Sequence, residues 1–341
     1  MSVATMPLGV LGTSAQASIQ NARNAVNIGA TGSVFYCDPV NGLDTNNGLA
    51  PQNGPVGSGI GPVQSLAGGY ALLVSGRNDT LVLIGNGASS GSARITTFTW
   101  AKSATRLIGI CAPSAISQRA RIANPTTSGL TVTANFFTVS GNGCLFQNLS
   151  FFQGAGAGQT GIAAEILMTI TGQRNVFVNC DFEGMGDSTG ATDAGSRCVL
   201  ISGGGQENLF QHCNFGLDTV TRTNANASVE VSGGGPRNIF EDCTFPFLSS
   251  DGLQYAFLAN AAAALDRWVL FKRCNVIATN AGSGVAIAQA FKLAASVGGI
   301  LCLDSLSGMF NVTAIGDATT KAQVFVSGGT ATNGVKGVVA T

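Results

Sequence analysis

CLFQNLSFF from Cys144, NVFVNCDFEG from Asn175, NLFQHCNFG from Asn208, NIFEDCTFPF from Asn238 and VLFKRCNVI from Val269 are five versions of one segment. Their first phenylalanines, Phe146, Phe177, Phe210, Phe240 and Phe271, lie 31, 33, 30 and 31 residues apart. Three residues after each stands Leu149, Cys180, Cys213, Cys243 and Cys274. A fixed period of this size marks a solenoid, in which each unit stacks on the last and none buries its apolar face alone.

Each unit has a second half, a short alternating run closed by glycine: VLISGGG from Val199, VEVSGGG from Val229 and, later, VFVSGG from Val324. Alternation rich in Val, Ile and Phe signals strands, and the glycines signal turns. No unit contains a stretch long enough for an amphipathic helix. A coil of this length exceeds a leucine-rich repeat and falls short of a four-stranded propeller blade. The remaining fold is all-β: a parallel β-helix with one coil per unit.

Equivalent positions of successive coils then stack about 4.8 Å apart. The cysteines form an internal ladder of small apolar side chains, with the phenylalanines beside them. Asn179, His212, Asp242 and Arg273, each just before its cysteine, fall at a bend between two strands, where short polar side chains bond local backbone. Cruder units precede these: DTLVLIGNG from Asp79, RLIGICAPS from Arg106 and LTVTANFFTVSGNG from Leu130. ILCLDSLSG from Ile300 continues the series, with Cys302 in the Phe position and Ser305 in the Cys position. The count is roughly eight coils from residue 79 onward, a rod of about 40 Å.

The 341 residues include 47 glycines; only 10% are charged, and Lys plus Arg balances Asp plus Glu at 17 each. Without a basic patch, no nucleic-acid partner is expected. Without an 18-residue apolar run, no helical membrane span is expected. The opening MSVATMPLGVLGTSAQASIQNARNAV lacks a basic region before an apolar core, so no signal peptide is read there. The nine cysteines are expected to be reduced and buried. A neutral, repetitive surface suits a chain made in host cytoplasm and assembled into a virion.

Residues 34–87 have a different texture: a strand (VFYCDP from Val34), a polar turn cluster (VNGLDTNNG from Val40), a Gly/Pro loop, then PVQSLAGGYALL from Pro62. Leu66, Tyr70 and Leu73 have helical spacing, with Pro62 at the first helical position. A short helix here caps the open apolar end of the first coil. Tyr36, Asp38, Pro39, Asn41, Gly42, Asp44, Asn46, Gly48 and Pro51, followed by that helix and DTLVLIGNG, resemble the N-terminal module of pectate-lyase-like right-handed parallel β-helix proteins. Many of those belong to bacteriophages and bacterial surfaces. The resemblance implies the right-handed turn. It is nearly silent on function, because this fold hosts lyases, hydrolases, tailspikes and inert structural proteins. The expected organisation is a docking arm over 1–33, a cap over 34–78 and the β-helix over 79–341.

Candidate chemistry is sparse. Asp38, Asn41, Asp44 and Asn46 offer oxygens suited to Ca²⁺; the competing reading is metal-free turn chemistry. A lyase site needs acidic calcium ligands on stacked coils, but Asp181 and Glu183 are followed by Asn214 and Gly216, then by Thr244 and Pro246. A glycosidase needs two carboxylates about 5 to 10 Å apart. Glu183, Asp187 and Asp193 in one loop, with Asp218 and Asp251 in the next two, are the candidates; the competing reading is solvated loop charge. His212 is the only histidine, so neither a His-based triad nor a zinc site can be assembled. The SGGG turns precede no Lys-Ser/Thr and so are not phosphate loops. No cofactor is implied.

The loop PFLSSDGLQYAFLANAAAALDRW from Pro246 contains an apolar run expected to be exposed at a homotrimer interface. The functional expectation is a non-enzymatic bacteriophage structural protein. It would be a capsid decoration protein or head fibre that docks through its arm on the major capsid protein or another virion protein. The alternative is a tail fibre or tailspike that binds or cuts host surface glycan.

Overall fold

Phe146, Phe177, Phe210, Phe240 and Phe271 stack face to face down the centre of the molecule, with ring centroids 4.9, 4.8, 4.8 and 4.7 Å apart and planes within 9° of parallel. That spacing is the separation of neighbouring strands, so the rings inherit their stacking from the backbone. In the computed structural model the described residues are 32–111, 120–259, 261, 264–280, 285–293, 298–304, 306–316, 324–327 and 337–339. Residues 1–31 of the expected arm, and Ser305, lie outside them.

Three sheets form the faces of the helix. The first has 11 strands, from Val34–Cys37 through Thr80–Ile84 and Arg106–Ile110 to Ile300–Leu303 and Val324–Ser327. All are parallel except Gly337–Val339, which pairs antiparallel with Val324–Ser327. The second sheet has nine strands and includes Leu149–Phe152, Asp181–Glu183, Asn214–Phe215 and Thr244–Ser249. The third has eight and includes Ile166–Ile170, Arg197–Ser202, Ala227–Ser232 and Tyr255–Ala259. From Thr80 to Gly316 the chain visits the sheets in this order, winding as a right-handed parallel β-helix, the favoured hand for parallel crossovers. The regular unit occupies about six coils, whose first-sheet strands run from Leu145–Gln147 to Ile300–Leu303. That is fewer than the roughly eight counted from sequence, because the outer coils depart from the repeat. VFVSGG belongs to one of them: Val324–Ser327 lies in the first sheet, not in the third with its look-alikes.

The strand residues alternate as the sequence pattern requires. Phe177, Phe210 and Phe240 are fully buried, and so are Phe151, Phe182, Phe215 and Phe245 in a second ladder on the neighbouring sheet. The two ladders meet edge to face, as in Phe210 against Phe215 at 5.5 Å. The cysteines line the corner between them. Cys180, Cys213, Cys243 and Cys274 point each thiol at the carbonyl of the phenylalanine one coil back, at 3.3 to 3.5 Å. Burial pushes the Cys213 and Cys243 thiols well above their usual pKa. All nine cysteines are free; Cys111 and Cys302 are half-buried, contrary to the expectation that all are buried, and Leu303 rather than Cys302 takes the Phe position, since Cys302 pairs with Leu270.

The bend between first and second sheets is one residue in left-handed conformation. Asn148, Asn179, His212, Asp242 and Arg273 have φ of 57, 53, 54, 55 and 52°. Asparagine and aspartate tolerate that region best. Arginine does not, and Arg273 is held there from both sides. Its guanidinium binds Asp242 and Glu241, and its N–H reaches Asp304 Oδ1 at 2.9 Å. The turn from third sheet to first uses glycine instead, at Gly203 and Gly204 (φ 58 and 89°).

An asparagine ladder stands at the start of three successive regular coils. Asn175, Asn208 and Asn238 are buried, and their side-chain oxygens accept from the N–H of Cys144, Asn175 and Asn208, one coil back, at 2.8 to 2.9 Å. These residues open the quoted segments, and their period was readable. At the N-terminal end, the helix Leu66–Leu72 closes the first coil. Its cap is Ser65, whose Oγ accepts from Gly68 N, so the helix starts later than Pro62 suggested. Tyr70 packs on Phe98 and Trp100 at 5.2 and 4.9 Å.

Truncating a ring should cost more than truncating a thiol. Phe210→Ala removes two stacking neighbours and should destabilise by about 3–5 kcal/mol. Cys213→Ala should lose about 1 kcal/mol. Equilibrium denaturation of both variants checks this; equal losses would mean that the rings do not carry the core.

Candidate functional site

The loops joining second to third sheet lie on one edge of the rod and carry the acidic residues singled out in the sequence. Asp187 caps the helical turn Ser188–Ala191: its Oδ1 accepts from Thr189 N and Gly190 N, while Oδ2 accepts from Ala155 N in the preceding coil. Asp193 Oδ1 accepts from Gly195 N and, one coil back, from Ala164 N. Asp251 repeats the device with Leu253 N and, one coil back, Asn224 N at 2.6 Å. Burial raises the pKa of Asp251, but these N–H groups and the Gln254 amide outweigh it and hold the carboxyl below the usual carboxylate range. Each aspartate therefore staples its loop to the loop below. Asp218 is exposed.

Glu183 lies in the strand Asp181–Glu183 and is buried. Its Oε2 faces Arg121 Nη2 at 3.5 Å, and that guanidinium lies over the Phe152 ring at 4.2 Å. Asp187 and Asp251 sit two coils apart, roughly 10 Å along the rod. The three candidates Glu183, Asp187 and Asp251 thus occupy separate settings and share no hydrogen bond.

The carboxyl that the sequence did not flag is Glu165. It is fully buried beneath the turn at Gly190, and the nearby N–H groups of Met185 and Gly186 favour its charged form too weakly to offset that burial. Burial, reinforced by the Asp187 charge, raises its pKa to about 9. It is a neutral acid at pH 7. Arg222 is the corresponding buried base: its Nε donates to Asn226 Oδ1 at 2.8 Å, its Nη1 to Ser228 Oγ at 3.1 Å, and it lies 4.9 Å from the Phe247 ring centre. Burial lowers its pKa to about 10, so it stays charged. Nothing in the repeat pattern marks either residue: Glu165 ends a connection of unequal length, and Arg222 lies in an extra two-residue strand, Thr221–Arg222, within another.

The N-terminal turn cluster hydrogen-bonds to its own chain. Asp38 Oδ1 accepts from Val40 N and Asn41 N, and its Oδ2 from Asn41 Nδ2. Asp44 Oδ1 accepts from Gln64 N and Ser65 N. Asn46 donates to Asn53 Oδ1 and Pro62 O. The donor set is that of turn chemistry, and among the described residues no cluster of His, Cys, Asp or Glu suits a metal ion. His212 is an exposed bend residue whose Nδ1 lies 4.0 Å from Asp242 Oδ2.

The outer surface of the third sheet presents a group that the sequence did not assemble. Arg197 pairs with Glu230 one coil on. Lys292 reaches the Tyr255 hydroxyl at 3.3 Å and lies over its ring at 5.2 Å. Tyr255 and Leu258 pack with Ala227 in a small apolar cluster. This corrects the expectation for the run after Pro246: Tyr255–Ala259 is a buried strand of the third sheet, so it offers no exposed trimer contact. Its unbroken apolar character reflects cover on both faces.

Glu165 makes stability pH-dependent in a definite direction. The unfolded chain releases this proton near 4.5, whereas the folded chain keeps it until about 9. Stability is therefore lost as pH rises from 4.5 to 9. Glu165→Gln should abolish this contribution, raising stability at pH 8 by about 2 kcal/mol or more and leaving it nearly unchanged at pH 4.5. Urea denaturation at the two pH values gives the answer; equal differences at both would show that Glu165 ionises normally.

No protein-family model matches the chain, and no curated protein matches it. Solved structures do. Pectate lyase Pel9A superposes with a TM-score of 0.54 at 17% identity, over 82% of this chain and 64% of the lyase. The chain thus spans a little under two thirds of that lyase. Pectin methylesterase PemA from Erwinia chrysanthemi matches with a TM-score of 0.47 at 11% identity, over 82% of this chain and 80% of the esterase. ORF18 of Geobacillus virus E2 matches with a TM-score of 0.28 at 14% identity, over 86% and 65%. At such identities the likeness is one of architecture, and in architecture the protein is a pectate-lyase-like right-handed parallel β-helix.

Proposed function

We propose that the protein is a non-enzymatic structural component of a bacteriophage virion, a capsid decoration protein or head fibre. One observation carries the non-enzymatic part. Both oxygens of Asp187 and Asp251, and Oδ1 of Asp193, accept from main-chain N–H groups of two successive coils. A general-base carboxylate needs its basicity, and N–H bonds to the charged form lower it; these carboxylates accept such bonds, which also hold the loops together. The neutral surface, with 10% charged residues and zero net charge, suits a component packed in many copies. Attachment through residues 1–33 to the major capsid protein, or another virion protein, completes this reading.

A second reading is motivated by the outer face of the third sheet. Glu230 and Lys292 are the accessible members of pairs whose other members, Arg197 and Tyr255, are buried, and the fold is shared with a pectate lyase. In this reading the protein is a tail fibre or tailspike that holds or cuts a host surface polysaccharide.

Quantitative mass spectrometry of purified virions, referenced to the major capsid protein, separates the two. Hundreds of copies per particle are expected; a dozen would favour the tail reading. In parallel, Asp187→Ala and Asp251→Ala should lower stability by about 1–3 kcal/mol each. Neither should alter any release of reducing ends from host polysaccharide. Loss of such release from folded variants would overturn the non-enzymatic assignment.

A further inference from the structure

The three outer faces of the rod differ in chemistry. On the second sheet, Ser150, Asp181, Asn214 and Thr244 pair in register, a polar row. On the third, Thr138, Thr169, Leu200, Glu230, Leu258 and Lys292 alternate in kind. On the first, one outward row is Leu145, Val176, Leu209, Ile239, Leu270 and Cys302, each paired in register with the next, and the row beside it, Gln147, Val178, Gln211, Glu241 and Lys272, is mostly polar. These residues are half-buried, and each regular-coil phenylalanine beside them points inward. Five aliphatic side chains in an unbroken file on the outer side of a single sheet need a reason, because contiguous exposed apolar surface marks contacts.

We infer that this face of the first sheet docks against the same face of a second copy of the chain. The inference goes beyond the virion reading and does not depend on it. Four properties of the face select that occupant. The strands are interior members of a sheet, so their N–H and C=O groups are already paired. An extended peptide would gain no backbone bonds here, whereas a finished sheet face needs none. The file repeats at the strand spacing of about 4.8 Å, and side chains interlock along its length only with a partner of the same period. A second copy has that period by construction.

The bordering charges are closed within the chain. Glu207 binds Arg174 and Arg237 on one side, and Glu241 and Asp242 bind Lys272 and Arg273 on the other. Two such faces therefore meet with little repulsion. The area reaches the lower end of the range for stable interfaces: ten parallel strands about 4.8 Å apart and, at four residues each on average, about 13 Å long give roughly 600 Å² per copy. A standard stable interface takes about 800 Å² per partner.

A two-fold arrangement places its axis at Leu209, the middle of the file, and this isologous contact closes at two copies. Leu145 then faces Leu270 of the second copy, Val176 faces Ile239, and Leu209 faces its own equivalent.

Sedimentation equilibrium of the full chain tests this. The wild type should run at twice 34.4 kDa, and Leu209→Arg at half that mass with an unchanged circular dichroism spectrum. Thr169→Arg, on the third sheet, should leave the dimer intact. Should Leu209→Arg fail to fold, Leu209→Cys in a Cys111→Ser, Cys302→Ser background should form one intermolecular disulfide under mild oxidation. A wild type that remains monomeric at about 100 µM, a trimer, a folded Leu209→Arg that still pairs, or a Leu209→Cys that does not cross-link each overturns the inference.

Discussion

Parallel strand pairing fixes a translation of about 4.8 Å from each coil to the next, and everything else in this molecule depends on that distance. It is close to the thickness at which aromatic rings stack, so a phenylalanine at the same place in each coil falls onto its neighbour 4.7 to 4.9 Å away. It is also close to the reach of an asparagine side chain, so Asn208 Oδ1 meets the N–H of Asn175 below it. The same translation brings Asp187 to Ala155 N, and Asp251 to Asn224 N. Core, inner ladder and loop edge are three uses of one vector. The outer file from Leu145 to Cys302 is a fourth.

This explains which parts were legible in the sequence. Phe146 to Phe271 and the cysteines after them repeat because they stack, and repetition is visible without coordinates. The bend residues were legible for the same reason: Asn179, His212 and Asp242 precede their cysteines, and each has φ near 54°. The loops were not legible. Their lengths differ from coil to coil, so no column of letters announces that Glu165 meets the turn after Asp187, or that Arg222 lies on Phe247. The run at Tyr255–Ala259 was misjudged because an apolar stretch in a loop-length gap looks exposed; in the structure it is another strand. VFVSGG misled in the opposite way. Its letters repeat, but its position in the coil does not.

The acidic residues show how a scaffold and a catalytic site make opposite demands on the same side chain. A carboxylate that accepts two or three main-chain N–H bonds is an excellent support and a poor base, because those bonds stabilise its charged form. Asp251 is of this kind. Glu165 is the reverse, an acid kept neutral by burial. Nothing positions these two beside each other, and the loop edge is best understood as reinforcement for a rod whose coils would otherwise be joined there only by flexible connections.

The single-residue bend also governs how such a chain can change in length. Three successive regular coils share the same pair of landmarks, a buried asparagine (Asn175, Asn208, Asn238) and a left-handed residue ahead of a cysteine (Asn179, His212, Asp242). Cutting between equivalent landmarks and rejoining them leaves both junctions chemically intact, since the coils on either side already accept that neighbour. Duplication or loss of genetic segments would thus alter the rod in whole turns of about 4.8 Å, and fractional changes would shear every ladder at once. Length in this architecture is a quantised trait.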